Sequence, residues 1–154
     1  MNLPEQIAKH LRDVMNGGNW TASNLKDTLQ GITWQQANEK VNSFNSIASL
    51  VYHISYFVTA ILDVIQGRPL SANDKFSFDH PPVNSEEDWE KMKGKLFAGA
   101  ELLASFVEQQ HENKMWENFS GEKYGTWYRN LQGLIEHTHY HLGQISIIKK
   151  LLQQ

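Results

Sequence analysis

Three of the seven histidines, His137, His139 and His141, alternate within the segment Ile135–Ile145. On a strand, alternate residues share a face; on a helix the outer two pair and the middle one turns away. The stretch from Thr126 to Gln154 has no proline, and Leu131, Leu134, Ile145, Ile148 and Leu152 recur in it at helical spacing. It therefore reads as a helix. At about 100° per residue His141 falls roughly 40° from His137, within the apolar stripe. His139 lands about 200° round, beside Gln132, Ser146 and Lys150, on the side expected to meet solvent.

Two imidazoles one helical turn apart are neighbours, close enough for their nitrogens to converge on one ion. A pair of core histidines satisfied by hydrogen bonds would have the same spacing. In an apolar stripe each needs a partner, because an unpaired buried polar group costs on the order of 1–3 kcal/mol. A shared cation would satisfy both. A third candidate ligand is His53, the one histidine in a long apolar segment, where it borders the face formed by Leu50, Phe57, Ala60 and Val64. Three neutral imidazoles with a position left open are the donor set of a catalytic metal site rather than a sealed structural one. They suit a divalent transition metal, with zinc or nickel preferred and iron or copper compatible.

Other residues qualify less well. Gln144 lies within about 20° of His137 on the wheel and can hydrogen-bond a ligand or substrate. Tyr56, one turn after His53, can orient a bound water or pack at the rim. His10 follows the apolar phase of the first helix, His80 falls in a loop, and His111 sits where a helix C-terminus favours positive charge. The stretch Lys91–Lys95 reads as a solvated helix face.

The elements that must position these groups are four long helices. Leu3, Ile7, Leu11 and Val14 mark the first, over residues 3–15, ended by Gly17-Gly18. Leu25 and Leu29, then Trp34 and Ala37, suggest short helical turns. The second long helix spans about residues 43–66, until Gly67 and Pro69 stop it. Ser85 followed by Glu86, Glu87 and Asp88 caps the third, which runs toward residue 110, and Thr126 caps the fourth. The connection GRPLSANDKFSFDHPPVNS between the second and third helices is unusually long for a compact domain. It can travel the length of a neighbouring helix, so the fold expected is all-α, a four-helix bundle with a long crossover.

The whole chain, 154 residues, suits one domain spanning 1–154, able to bury roughly 70% of its unfolded surface. Fourteen Lys+Arg against 17 Asp+Glu give a net charge of −3. The basic residues form no stripe, which argues against nucleic acid as a partner. With no cysteine there is no disulfide, no thiolate ligand and no cysteine nucleophile. The N-terminal segment lacks a signal-peptide pattern, and no membrane span is expected, so a cytoplasmic protein acting on a small molecule is the expectation.

The segments Ser49–Ile54 and His137-x-x-x-His141-x-Gly143-Gln144-Ile145 resemble those of the DinB/YfiT-like superfamily, and the resemblance extends over essentially the whole chain. It implies an up-down-down-up bundle with His53, His137 and His141 as the metal triad. It also implies an activity like that of transferases using low-molecular-weight thiols, such as the mycothiol- and bacillithiol-dependent enzymes, where the metal holds the thiol as thiolate. Leu142 stands where many relatives carry arginine, and Tyr140 where a further histidine is frequent, so no relative's substrate preference is carried over. A metal-dependent hydrolase would use the same three ligands. A non-catalytic bundle that binds a partner or forms a homodimer, with a vestigial metal site, is the competing class. A pocket opening onto the imidazoles from the crossover and the segment near Trp20 and Trp34 would separate enzyme from binding module.

Overall fold

The computed structural model of the chain describes residues 1–153. Six α-helices and three short 3₁₀ turns account for its regular structure. The helices are α1 (Leu3–Asn16), α2 (Leu25–Leu29), α3 (Trp34–Asn38), α4 (Ile47–Ile65), α5 (Glu86–Glu108) and α6 (Trp127–Leu152). Four are long, and α2 and α3 are the two short helical turns expected between the first and second of them. Each begins on a side chain that accepts a backbone N–H of the first turn. Asn2 and Glu5 form a reciprocal capping box on α1, and Ser46, Ser85 and Thr126 cap α4, α5 and α6.

The second long helix starts at Ile47, about four residues later than its apolar pattern suggests. Asn42 has a φ of 52°, and Ser46, with extended backbone, accepts from the Ser49 N–H. A left-handed residue and a cap together terminate helical propagation toward the N-terminus. At its other end Gly67, with φ of 83°, takes the left-handed position after the last turn and donates its N–H to the Val64 carbonyl at 2.9 Å.

Among the long helices α1 packs on α5 and α6, and α4 packs on the same two. One apolar core runs between them, with Leu11, Leu50, Ile54, Trp89, Leu103 and Ile145 almost wholly buried. The Trp89 indole N–H donates to the Ile32 carbonyl at 2.9 Å, tying the linker before α3 to α5. Arg12 of α1 bonds Glu101 and Glu108 of α5 at the surface.

By length and composition alone α4 is apolar enough to cross a membrane, contrary to the expectation that no segment would be. Half of it is buried inside the fold, and its buried polar residues His53 and Ser55 face protein. Its hydrophobicity is that of a helix covered on several sides by α3, α5, α6 and the crossover.

Candidate metal centre

Helices α4 and α6 pack against each other. Leu50 shares a cleft with Gln144 and Ile148, His53 meets His137 and His141, and Phe57 and Ile61 oppose Gly133 and Leu134. This register brings one histidine of α4 against two of α6. His53 Nε2 lies 3.0 Å from His137 Nε2, and His141 Nε2 lies 3.0 Å from the same atom. The three donor atoms fall within 4.8 Å of one another, and no carboxylate joins them among the described residues. His53 and His141 are buried, and His137 is half-buried.

The outer nitrogens decide the tautomers. His53 Nδ1 is 2.9 Å from the Ser77 hydroxyl oxygen, whose own proton goes to the Asp74 carbonyl at 2.7 Å. Ser77 is left to accept, so His53 carries its proton on Nδ1 and turns the Nε2 lone pair inward. The Gln144 side-chain oxygen accepts from His141 Nδ1 at 2.7 Å with the same effect. His137 has no such anchor: its Nδ1 is the single buried side-chain polar atom without a hydrogen-bond partner among the described residues. One proton on His137 Nε2 can be given to only one of the two lone pairs at 3.0 Å, so the other lone pair is left without a donor. A cation shared by all three nitrogens removes that conflict.

The two 3.0 Å spacings to His137 fit such an ion. Imidazole nitrogens bound at about 2.0–2.1 Å, with bond angles of about 90–110°, stand roughly 2.9–3.4 Å apart. Protonation is a poor substitute. Burial, and then the neighbouring imidazoles, push His137 down to about 4, and burial lowers His53 and His141 as well. The three rings are thus held neutral, the form in which imidazole ligates a metal.

Aromatic side chains close the site. Phe78 stacks on the His53 ring with centroids 4.0 Å apart, and Phe57 meets His53 and His137 edge-on at 5.0 and 5.1 Å. Ser77, Phe78 and Asp74 all come from the crossover, the segment whose length invited an explanation. It lies over the histidine cluster and supplies one of its hydrogen bonds. Sequence reading did not single out these three. The available signal was Ser77 between two phenylalanines in a loop too long to be idle.

Tyr56 points into the crossover instead of the cluster, its hydroxyl donating to the Asn73 carbonyl at 3.1 Å and accepting from the Asn73 N–H at 2.9 Å. His139, expected in solvent, is half-buried; its Nε2 lies 3.3 Å from the Asn19 amide and its Nδ1 3.1 Å from the Ile135 carbonyl. With the exposed His10 it lines a separate groove on the far side of α6, beside Trp20. His80 bonds Ser49 and Pro81, clear of the cluster. Leu142 is buried, and Tyr140 is exposed with its ring edge-on to His141 at 5.0 Å.

A cleft of about 450 Å³ opens onto His137. Its walls are Phe57 and Ile61 of α4, Leu70 of the crossover, and Phe119 and Leu134; Lys123 and Arg129 stand among its lining residues. The crossover contributes to this opening through Leu70 and Ala72. The segment near Trp20 and Trp34 does not: Trp20 is 99% exposed on the opposite groove, and Trp34 packs against the core beside α5.

A family model described as DinB family matches residues 8–152. No curated protein and no solved structure matches the chain.

Proposed function

The chain belongs to the DinB family, and from that premise we propose that it is a metal-dependent enzyme whose ligands are the Nε2 atoms of His53, His137 and His141. The observation that carries the proposal is the convergence of three neutral imidazole nitrogens within 4.8 Å, His53 and His141 each 3.0 Å from His137 and both held with lone pairs inward. A divalent ion in that position supplies Lewis acidity, lowering the pKa of a thiol or water toward neutrality. The preferred reading is a transferase that activates a low-molecular-weight thiol, since the chain has no cysteine nucleophile of its own. A hydrolase using water is the alternative with the same ligands.

The roles of the chain's own groups follow from their contacts. Ser77 and Gln144 fix the tautomers of His53 and His141. Phe57 and Phe78 exclude water from one side of the rings, raising the strength of every electrostatic interaction among them. The cleft beside His137 admits a small substrate to the remaining side. That opening favours catalysis over a bundle acting only as a binding or dimerisation module.

The same reading includes an up-down-down-up arrangement of α1, α4, α5 and α6. It is supported by the residue pairs that α4 and α6 bring together, Leu50 with Ile148, His53 with His137 and His141, and Ile61 with Leu134, as an antiparallel pair would. The crossover of residues 66–85, at up to about 3.3 Å per residue, exceeds the roughly 34 Å length of α5, so α4 and α5 can run parallel.

The test is elemental analysis of untagged protein beside His53→Ala and His137→Ala. Stoichiometric metal, absent from both variants while helical circular dichroism persists, is the expected result. Bound metal that tracks neither residue would end the proposal. Metal-loaded protein then separates the two chemistries: loss of free thiol with an electrophilic acceptor marks a transferase, and thiol-independent cleavage marks a hydrolase.

A further inference from the structure

The apolar cleft that opens onto His137 ends at two cations. Lys123 lies in the 3₁₀ turn Glu122–Tyr124 and Arg129 in the first turn of α6; both are exposed, and both line the cleft. Neither has a carboxylate within 4.0 Å among the described residues, as is true of most of the fourteen Lys and Arg side chains. The Lys123 ammonium sits over the Tyr124 ring, 4.6 Å from its centroid. The Arg129 side chain passes over Gly125, where an added Cβ would stand 3.1 Å from its Cδ.

The loop that presents them is held firmly. Asn130 donates its amide to the carbonyls of Tyr124 and Thr126 at 2.9 and 2.8 Å. The Phe119 N–H bonds the Gly125 carbonyl, and the Trp127 N–H bonds the Glu117 carbonyl. Two cations without a carboxylate partner among the described residues are therefore presented at the N-terminal end of a 26-residue helix, whose dipole adds to their positive potential. His137 lies eight positions beyond Arg129 on α6, about 12 Å along the axis.

We propose that this cleft selects an anionic small molecule: Lys123 and Arg129 hold its carboxylate or phosphate, its apolar body lies along Phe57, Ile61 and Leu134, and its reacting end meets His137. This deepens the metal-enzyme reading and rests on it for the reaction, though not for binding. The charge is recognised at one end and the chemistry occurs at the other. A neutral ligand of equal length gains the apolar contacts but leaves both cations to solvent.

The test titrates the full metal-free chain with octanoate, octyl phosphate and octan-1-ol, following backbone amide shifts at Gly133 and Leu134, and repeats it on the Lys123→Gln, Arg129→Gln double variant. In the unaltered chain at least one anion is expected to bind about tenfold more tightly than the alcohol, the scale of a charge-assisted contact. Whichever anion shows the advantage identifies the group as carboxylate or phosphate. In the double variant the advantage disappears while the alcohol binds as before. Equal or absent binding of all three probes, or an anion preference that survives the double substitution, overturns the proposal. Metal content is measured on each protein before its metal is removed. An unaltered chain that holds metal but shows no anion preference refutes this inference alone, whereas an anion preference in a chain that never binds metal leaves it standing and refutes the metal reading.

Discussion

Replacing Ser77 with alanine removes the oxygen that holds His53 Nδ1 at 2.9 Å and leaves every proposed ligand in place. Ser77 has no exposed surface, so no water takes over from the hydroxyl without repacking, and His53 is itself 5% exposed. The lost contact strands a buried Nδ1–H at a cost of about 1–3 kcal/mol. In the metal-free protein that cost appears as stability, with a fall in Tm of roughly 2–4 °C per kcal/mol for a chain of this size. In metal binding it appears as a tautomer problem. Without an acceptor on Nδ1, the Nε2–H form of His53 competes with the ligating form. Loss of such an outer partner typically weakens a site about 10–100-fold, which is about 1.4–2.7 kcal/mol. The two ranges overlap, as they must when one contact underlies both. The assay is competition for zinc against a chromophoric chelator near neutral pH, paired with thermal melts of the metal-free forms. A Ser77→Ala variant that melts lower yet binds zinc within about twofold of the parent would refute the reasoning, since an outer partner should cost far more. Ser77 would then be a fastening for the crossover and nothing more.

Gln144→Ala should weaken zinc about tenfold by freeing His141 in the same way, while Gln144→Glu, which still accepts from Nδ1, should keep the affinity; equal behaviour of the two variants would contradict the assignment. The pH dependence of the metal-free protein has a defined sign. All three imidazole pKa values are lowered, so the unfolded chain takes up protons first as pH falls below its ordinary histidine value of about 6.5. Stability is therefore complete above that value and declines as pH drops toward about 4, where folded His137 also titrates. Melts from neutral to acid pH should show this loss, and His137→Asn should flatten it. Trp89→Phe leaves the Ile32 carbonyl without its donor in the core and should cost about 1–3 kcal/mol in chemical denaturation, with metal affinity unchanged.

What the sequence determined follows from local periodicity. Apolar residues three and four apart, with Ser85 and Thr126 before the last two segments, mark four long helices because caps and one-sided burial are properties of a single segment; the caps Asn2 and Ser46 came from the structure. The wheel of α6 likewise puts His137 and His141 on one face and turns His139 away, since 100° per residue needs no tertiary knowledge. What only the tertiary structure decided is how separate segments meet. That Ser77 reaches His53 across 24 residues, that Tyr56 anchors Asn73 instead of facing the cluster, and that Lys123 and Arg129 rim the cleft while Trp20 stands on another groove all depend on where loops lie. Loops carry no period to read. Their course is set by which carbonyls and hydroxyls need partners once the helices have packed.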